Sequence, residues 1–274
     1  MPQPTHTYQR LAGKVAIVTG AGSQGGQGYG TGKAMAVLFA REGAKVCLVD
    51  REMDRVRDTL QAVEQAGGTA FICGADVTRA ADCERIVAET VKNYGGLDIL
   101  VNNVGIGEGG GAIDKIEEST WHRVIDVNLT STVLMSKYAI GPLIARRGNI
   151  VNIASVAALR AHGGGVAYSA SKAGMIALTR DLAVMYGPKG VRANVVAPGH
   201  IFTPLVQAFI DDKGRRVRRD VAPLQVEGDA WDIASAALFL ASDEARFISA
   251  VCLPVDGGVV EIAALTAAQN MINQ

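Results

Sequence analysis

The stretch TGAGSQGGQGYGTGK, residues Thr19–Lys33, decides how this sequence folds. The apolar run KVAIVT of residues 14–19 leads into it, and the helical pattern GKAMAVLFAREG of residues 32–43 leads out of it. A buried strand, a glycine-rich turn and a helix in this order are typical of the first unit of a doubly wound α/β fold. In that unit the turn binds the pyrophosphate of a dinucleotide, because glycines let the backbone come close and the helix N-terminus supplies N–H groups.

The glycines of this stretch allow two registers for the dinucleotide motif. Gly20, Gly22 and Gly25 match G-x-G-x-x-G literally, but the helix is expected to begin later, near Thr31–Gly32. We therefore interpret Gln24–Tyr29 as about six residues inserted into a shorter turn. A tolerated surface loop is the favoured interpretation of the insertion, and a flap over the cofactor or the substrate is the alternative. The turn residues predicted to bind the cofactor are Gly20, Gly22, Ser23, Gly30 and Thr31.

Two further features indicate which nucleotide the turn binds. A P-loop would need glycine in place of Gln27 and serine or threonine in place of Ala34, so that class is excluded. The second predicted strand ends at Asp50, whose carboxylate can accept hydrogen bonds from the adenosine ribose hydroxyls and would repel a 2′-phosphate. The sequence therefore predicts NAD, although Asp50 can also cap the next helix. Arg51 is predicted to lie beside the cofactor too, and because an arginine could meet a phosphate, NADP remains the alternative.

The rest of the chain repeats the alternation of strand and helix. Further strands are predicted at 45–50, 69–77, 97–105, 148–155, 191–199 and 250–258. The main later helices are predicted at 119–145, 167–186 and 229–242. Continuous apolar strands between helices favour an α/β fold, a Rossmann-type doubly wound parallel sheet of about seven strands in a three-layer sandwich. Residues 1–274 are predicted to form one domain, with a core at about 13–258 and a tail at 259–274 that is expected to pack on a neighbouring subunit.

Composition argues against several functional classes. The 27 basic and 27 acidic residues balance, so no overall field would recruit nucleic acid or an anionic membrane. The polar N-terminal segment does not read as a signal peptide, and no uncharged apolar run is long enough to span a bilayer. The four cysteines form no C-x-x-C pair, which indicates reduced thiols in a cytoplasmic protein. The histidines lack ligand spacing, so no metal is expected.

Three side chains in the middle of the chain could carry chemistry. Tyr168 and Lys172 are four residues apart, so they project from one face of a helix. Ser155 ends a predicted strand, at the edge of the sheet where doubly wound folds bind ligands. An unperturbed tyrosine has a pKa of about 10, and a nearby ammonium lowers it by favouring the phenolate. A tyrosine and a lysine at this spacing are usually a packing feature, but the serine and the upstream dinucleotide turn favour catalysis.

In this order the motifs resemble the short-chain dehydrogenase/reductase family over nearly the whole chain, from about Gly13 to Gly258. The matching pieces are the interrupted glycine motif at 19–32, Asp76-Val77, NNVG at 102–105, Asn128 in DVNLTS, Ser155, YSASK at 168–172, PGHIFT at 198–203 and VDGG at 255–258. The resemblance implies that Tyr168 is the general acid/base and that Ser155 orients the substrate oxygen. It implies that Lys172 lowers the tyrosine pKa and binds the nicotinamide ribose, and that Asn128 holds a water that relays protons.

The resemblance also implies further cofactor contacts and an assembly. The implied contacts are Asp76 and Val77 with adenine, Asn103 and Gly105 in the cofactor groove, and Pro198, Gly199, Ile201 and Thr203 at the nicotinamide end. Asn102, Asp256 and Gly257 are interpreted as braces of the sheet, and Val104 stands where alanine is usual. Members of the family are commonly homotetramers built partly through the long helices, which are predicted here at 119–145 and 167–186.

The predicted function is that of an oxidoreductase that transfers a hydride between NAD(H) and a small secondary alcohol or ketone. The alternatives are an NADP-dependent ketoreductase and, in a different class, a catalytically silent sensor or scaffold that binds NAD. Substrate choice is expected in three loops, at 106–112, 156–166 and 200–227. Arg160, His162 and His200 lie in these loops; the favoured interpretation is that they are surface residues, and contact with the substrate is the alternative. The arginines at 215–219 are interpreted as a solvated helix face, with an anion site as the alternative.

Overall fold

The computed structural model of the chain describes residues 9–23, 25, 28–108, 110–161 and 165–272. Every apolar run that the sequence marks as a strand forms one. The strands in chain order are β1 (Val15–Thr19), β2 (Lys45–Asp50), β3 (Thr69–Gly74), β4 (Ile99–Asn102), β5 (Asn149–Ile153), β6 (Arg192–Pro198), β7 (Ile201–Phe202), β8 (Gly228–Asp229) and β9 (Cys252–Val255). The short β7 and β8 pair with each other and were not predicted, because two residues are too few to show a pattern.

The main sheet has seven strands in the order β3-β2-β1-β4-β5-β6-β9, and every pair in it is parallel. The chain winds outward from β1 to β3 and then returns to the other side of β1 with β4. The carboxyl ends of β1 and β4 therefore flank the point where the strand order reverses, which is where such sheets bind ligands. This topology confirms the predicted Rossmann-type doubly wound fold.

Helices connect the strands. In chain order they are α1 (Thr31–Arg41), α2 (Met53–Gln65), α3 (Ala80–Tyr94), α4 (Glu118–Ile125), α5 (Ser131–Arg146), α6 (Val166–Tyr186), α7 (Pro204–Gln207), α8 (Asp212–Asp220), α9 (Ala230–Ala241) and α10 (Ala264–Ile272). The long helix predicted at 119–145 is divided into α4 and α5 by a π-helical turn at Asp126–Thr130. Across the described part of the chain, no helix is both long and apolar enough to cross a bilayer.

Both faces of the sheet are buried, as the continuous apolar strands require. Along β1, Ala16 and Val18 belong to the core beneath α1 and α9, while Ile17 between them belongs to the core on the opposite face. The first core contains Phe39 of α1 and the second contains Met135 of α5, and both side chains are fully buried. Because alternate residues of one strand enter different cores, no position in these strands can be polar without a specific partner.

The C-terminal segment packs within its own chain. Helix α10 contacts α8 of the loop that follows β7, and Ala267 of α10 is buried. Arg160, in the loop after β5, donates from Nε to the carbonyl oxygen of Val260 at 3.1 Å. The tail that was expected to pack on a neighbouring subunit therefore has an intrachain partner, and it joins two of the three loops in which substrate choice is expected.

Candidate active site

The glycine turn is fixed by the close approach of helix α1 to the end of β1. A Cβ atom on Gly32 would lie 1.9 Å from the carbonyl oxygen of Gly20, a distance that no real side chain could adopt. Gly20 itself has a φ of +63°, in the left-handed region that favours glycine. Helix α1 begins at Thr31, as the second register predicts. The N-terminus of α1 therefore lies directly against the end of β1, which is the geometry that a pyrophosphate requires.

The end of β4 is tied to this turn by side-chain hydrogen bonds. Asn103 donates from Nδ2 to the carbonyl oxygens of Thr19 and Gly20 at 3.2 and 3.1 Å, and its Oδ1 accepts from Oγ1 of Thr31 at 2.8 Å. The backbone N–H of Asn103 donates to Oγ1 of Thr19 at 3.0 Å. Asn103 was predicted to line the cofactor groove, and the structure shows it as the link that fixes β1, β4 and α1 at the switch point.

The insertion in the turn is anchored at its far end. The backbone N–H of Gly30 donates to Oγ of Ser23 at 3.0 Å, which closes the loop. The Tyr29 ring lies 5.0 Å from the ring of Trp231 on α9, between centroids, and Nζ of Lys33 lies 4.6 Å above the Tyr29 centroid. Lys33 also pairs with Asp58 of α2. Gln24, Gly26 and Gln27 of the insertion lie outside the described residues, and the contacts of Tyr29 were not foreseen because they join parts of the chain that are distant in sequence.

The carboxylate of Asp50 at the end of β2 faces the turn. Its Oδ2 accepts from the backbone N–H of Gly22 at 2.9 Å, and its Oδ1 accepts from the N–H of Glu52 at 3.0 Å. A Cβ on Gly22 would lie 2.8 Å from that Oδ2, so the glycine is what lets the carboxylate approach. Arg51 is exposed, and its Nε lies 3.4 Å from the carboxylate of Glu52. The predicted adenine-side residue Asp76 uses its Oδ1 to accept from the backbone N–H and the hydroxyl of Thr78.

Val77, the second residue predicted at the adenine, has a buried side chain. Together, the glycine cradle, the N-terminus of α1 and the Asp50 carboxylate fit the pyrophosphate and ribose of a dinucleotide. A Cβ at Gly32 or Gly22 would fill that cradle, which is why glycine stands at both positions.

The structure brings Ser155, Tyr168 and Lys172 together at the carboxyl end of β5. Ser155 lies two residues beyond the strand, and its Oγ accepts from the backbone N–H of Ala157 at 3.2 Å. Tyr168 and Lys172 lie on the first turns of α6, and the Lys172 Nζ is 5.9 Å from the centre of the tyrosine ring. The lysine is buried and donates to the carbonyl oxygen of Ile153 at 2.8 Å. The predicted catalytic group is therefore assembled as one site.

Burial dominates the electrostatics of this site. It raises the pKa of Tyr168, while a hydrogen bond with Ser155 acts in the opposite direction. Burial lowers the pKa of Lys172 to about 8. In the chain alone, desolvation therefore shifts the pKa of Tyr168 upward, opposite to the lowering that was expected from the neighbouring ammonium.

Asn128 lies in the π-helical turn and is fully buried. Its Oδ1 accepts from the backbone N–H of Ile106 at 2.8 Å, and its Nδ2 donates to the Ile106 carbonyl oxygen and to Oγ of Ser171, both at 3.0 Å. The side chain thus holds the loop after β4 against α6. A Cβ on Gly105 in that loop would lie 3.1 Å from Nζ of Lys172, so Gly105 leaves room for the ammonium.

The loop after β6 forms the remaining wall of the site. Pro198 ends β6, and a Cβ on Gly199 would lie 2.4 Å from Cβ of Asp256, so this turn needs a glycine. The Ile201 side chain is buried, and Oγ1 of Thr203 caps α7. Asp256 accepts from the backbone N–H groups of residues 258 and 260 at 2.9 Å, so its carboxylate holds the turn that follows β9.

Two of the basic residues in the loop after β7 form ion pairs. Arg215 forms a bidentate pair with Glu227 and stacks 3.8 Å from the centre of the Phe202 ring, and Arg219 pairs with Asp220. Nδ1 of His200 lies 3.2 Å from the carbonyl oxygen of Arg218, so it fastens α8 to the loop after β6. His162 lies outside the described residues.

Comparison with known proteins identifies relatives of the chain. A family model described as enoyl-(acyl carrier protein) reductase matches residues 26–260. The 2,5-dichloro-2,5-cyclohexadiene-1,4-diol dehydrogenase LinX of Sphingobium indicum is 38% identical over 250 residues, which cover 91% of this chain and 97% of LinX. Both similarities extend over most of the chain.

Two solved structures are similar over their whole length. One, from Burkholderia xenovorans and classed as a short-chain dehydrogenase/reductase, is 46% identical with a TM-score of 0.88, covering 93% of this chain and 99% of its own. The other, a 7α-hydroxysteroid dehydrogenase complexed with NADH and 7-oxo glycochenodeoxycholic acid, is 32% identical with a TM-score of 0.84, covering 93% and 98%. The fold, the assembled site and these relatives lead to one conclusion: the chain belongs to the short-chain dehydrogenase/reductase family of oxidoreductases.

Proposed function

We propose that this protein is an NAD-dependent dehydrogenase that interconverts a secondary alcohol and a ketone, with Tyr168 as the general acid/base. The observation that carries the proposal is the assembly of Ser155, Tyr168 and Lys172 at the carboxyl end of β5, beside a turn that fits a dinucleotide. A pure binding protein would have no need for a buried lysine beside a half-buried tyrosine, because burying an ammonium costs stability.

The choice of NAD rests on Asp50. Its carboxylate stands at the end of β2 and already meets the glycine turn through Gly22, where it would accept hydrogen bonds from ribose hydroxyls and repel a 2′-phosphate. Arg51 points to Glu52, which supports NAD over NADP. The 7α-hydroxysteroid dehydrogenase relative holds NADH, which is further support. When bound, the nicotinamide supplies the hydride acceptor or donor.

The chain's own residues supply position and a proton path. The Ser155 hydroxyl, hydrogen-bonded to Tyr168, holds the substrate oxygen next to the phenol. Tyr168 takes a proton from an alcohol or gives one to a ketone at that oxygen. Lys172, held by the Ile153 carbonyl, supplies positive charge that favours the phenolate. Asn128 fixes the Ile106 loop and α6 around the lysine, so the ammonium keeps its place.

The working form of the protein is proposed to be a cytoplasmic homotetramer that acts on a small molecule. Val133 on α5 and Val184 and Met185 on α6 are exposed apolar residues, with 42%, 73% and 62% of their surfaces accessible. Helix faces of this kind are suited to subunit contact. Light scattering on the purified chain would give the subunit number, and a monomer would contradict this part of the proposal.

The test is a panel of secondary alcohols assayed by NADH absorbance, with NAD and NADP in parallel. Wild-type protein should turn over at least one alcohol with NAD, and Tyr168→Phe should lose about 10²–10⁴ of that rate because the proton path is removed. Calorimetric titration with NADH should give similar affinities for both proteins. Turnover with NADP alone would favour the NADP-dependent ketoreductase. NADH binding without hydride transfer, in either direction and across a wide ketone panel, would favour a catalytically silent sensor.

A further inference from the structure

We propose a second binding site, at the edge of the sheet opposite the candidate active site, for a small oxyanion that carries its own hydrogen-bond donor, such as hydrogen phosphate or a singly protonated phosphate monoester. A cavity of about 310 Å³ lies where β1, β4, β5 and β6 begin. Its charged lining residues are Lys14, Asp98, Arg147, Arg192, Asp243 and Arg246. The site shares no residue with the predicted cofactor and catalytic sets, so it does not depend on the proposed function.

The lining carries an excess of positive charge. Four of its six charged residues are cations, and both carboxylates are already engaged. Asp98 is buried and its Oδ2 accepts from the backbone N–H of Val15 at 2.9 Å, while Asp243 lies 3.4 Å from Nζ of Lys14. The arginines are therefore left to attract an anion from solution.

Arg192 forms a fixed cation at one wall. Its guanidinium donates to the carbonyl oxygens of Leu240 at 2.8 Å, Ser242 at 3.2 Å and Ile248 at 3.3 Å, so it closes the C-terminus of α9. Carbonyl oxygens are weaker partners for a guanidinium than a carboxylate. Burial lowers the pKa of Arg192, and the charge of the nearby Asp243 carboxylate acts in the opposite direction. A bound anion would neutralise the remaining positive charge of the Arg192 guanidinium.

Arg147 is held along the opposite part of the lining. Its backbone has a φ of 51°, in the left-handed region, and its stem packs on Gly190, where a Cβ would lie 3.0 Å from Cγ of Arg147. Arg246 is exposed and completes the cationic rim. Guanidinium groups bind phosphate and carboxylate oxygens in pairs, which suits an oxyanion at this rim.

Asn149 favours a ligand that can donate a hydrogen bond. Its side chain is 6% exposed, and Nδ2 donates to the carbonyl oxygen of Ala241 at 3.0 Å, which fixes the orientation of the amide. Among the described residues, its Oδ1 is the one buried side-chain oxygen that accepts no hydrogen bond. An unsatisfied buried acceptor is costly, so a small shift of the lining that brings a ligand hydroxyl to this oxygen would be favoured. Hydrogen phosphate has such a hydroxyl and sulfate lacks one.

Calorimetric titration of the full chain at pH 6 with inorganic phosphate and with sulfate tests this requirement. At this pH every inorganic phosphate ion carries one or two protons and sulfate carries none, so phosphate should bind about tenfold more tightly than sulfate. A third titration with glycerol 3-phosphate separates the sources: tighter binding than phosphate identifies a phosphate monoester as the ligand, and weaker binding identifies free phosphate. Equal affinities for phosphate and sulfate would mean an adventitious ion only and would overturn the proposal.

Glutamine variants of the surrounding arginines locate the site. Arg147→Gln combined with Arg246→Gln should weaken phosphate binding about tenfold or more, because two charge-assisted contacts are removed. Arg146→Gln is the control: Arg146 is the neighbour of Arg147 on α5, is exposed, donates to the Gly95 carbonyl oxygen and does not line the cavity. The control should bind phosphate like the wild type. Unchanged binding in the double variant, or an equal loss in the control, would place the ion elsewhere and overturn the proposal.

Discussion

Gly32 and Gly105 both clear space at the candidate site, but they lie against different kinds of neighbour. A Cβ on Gly32 would meet the backbone oxygen of Gly20 at 1.9 Å, whereas a Cβ on Gly105 would meet the ammonium of Lys172 at 3.1 Å. The backbone cannot retreat without moving β1 and α1, but the end of a lysine side chain can shift. The cofactor turn is therefore fixed by contact between main chains, and the catalytic pocket by buried polar side chains that can adjust.

Gly32→Ala is the strongest test of the difference between the two regions. We expect a loss of about 3 kcal/mol or more in the free energy of unfolding, together with the loss of dinucleotide affinity, because α1 must move away from the turn. Urea unfolding and calorimetric titration with NADH would measure both. Gly25→Ala is the control, since a Cβ there has no atom within 4 Å, and it should change stability by no more than about 0.5 kcal/mol. Equal effects of the two variants would show that the turn is not fixed by main-chain contact.

Lys172→Met tests how much the burial of the lysine ammonium lowers the free energy of unfolding. Burial lowers the pKa of Lys172 from 10.5 to about 8, so between these values the unfolded chain binds more protons than the folded chain. The cost of burying the ammonium is thus fully present below pH 8 and is relieved as pH rises. Between pH 7 and 10, the free energy of unfolding of the wild type should rise relative to Lys172→Met by roughly 2 kcal/mol. Parallel pH profiles from urea unfolding would contradict this.

Tyr29→Ala asks whether the insertion is part of the fixed turn. It removes the contact with the Trp231 ring and the ammonium of Lys33, so we expect a loss of about 1–2 kcal/mol in the free energy of unfolding. Tyr29→Phe keeps both ring contacts and should stay close to the wild type. Thermal unfolding followed by tryptophan fluorescence measures the difference. If alanine and phenylalanine behave alike, the ring does not anchor the loop.

Gly105→Ala should have the smallest effect on stability. The added methyl displaces the Lys172 ammonium by a few tenths of an ångström, so the free energy of unfolding should fall by about 1 kcal/mol or less. Turnover should fall more than the affinity for NADH, because the displaced group belongs to the proposed catalytic set. Gly107→Ala is a matched control on the same loop, since a Cβ there has open space. A stability loss as large as that of Gly32→Ala would abolish the distinction between the two regions.

The sequence predicts best what depends on local pattern. The apolar runs and the capping residues place the seven main strands, and the position of Thr31 at the start of α1 follows from the helical pattern. The π-helical turn that separates α4 from α5 was not predicted, because a helical pattern does not show one extra residue in a turn. The contact between the Tyr29 and Trp231 rings was missed for another reason: about two hundred residues separate the partners, so only the folded chain brings them together.

The same limit applies to the electrostatics of the site. The spacing of Tyr168 and Lys172 predicts their proximity, and the structure places them on one face of α6. The balance between the ammonium and desolvation depends on how deeply α6 is covered, and no spacing rule gives that depth. Arg160 is similar, since its hydrogen bond to the Val260 carbonyl depends on where the C-terminal segment returns.

The pairing of β1 with β4 has a consequence for how the chain is made. Ala16 aligns with Ile99 and Val18 with Val101, while the other side of β1 aligns with β2, beginning at Lys45. During synthesis, β1, β2 and β3 can associate early, but one edge of β1 stays open until β4 leaves the ribosome. An apolar strand with an open edge is a target for mispairing, and non-local parallel pairing is intrinsically slow. Slower translation before β4 should therefore lengthen the exposure of that edge and increase the demand for chaperones.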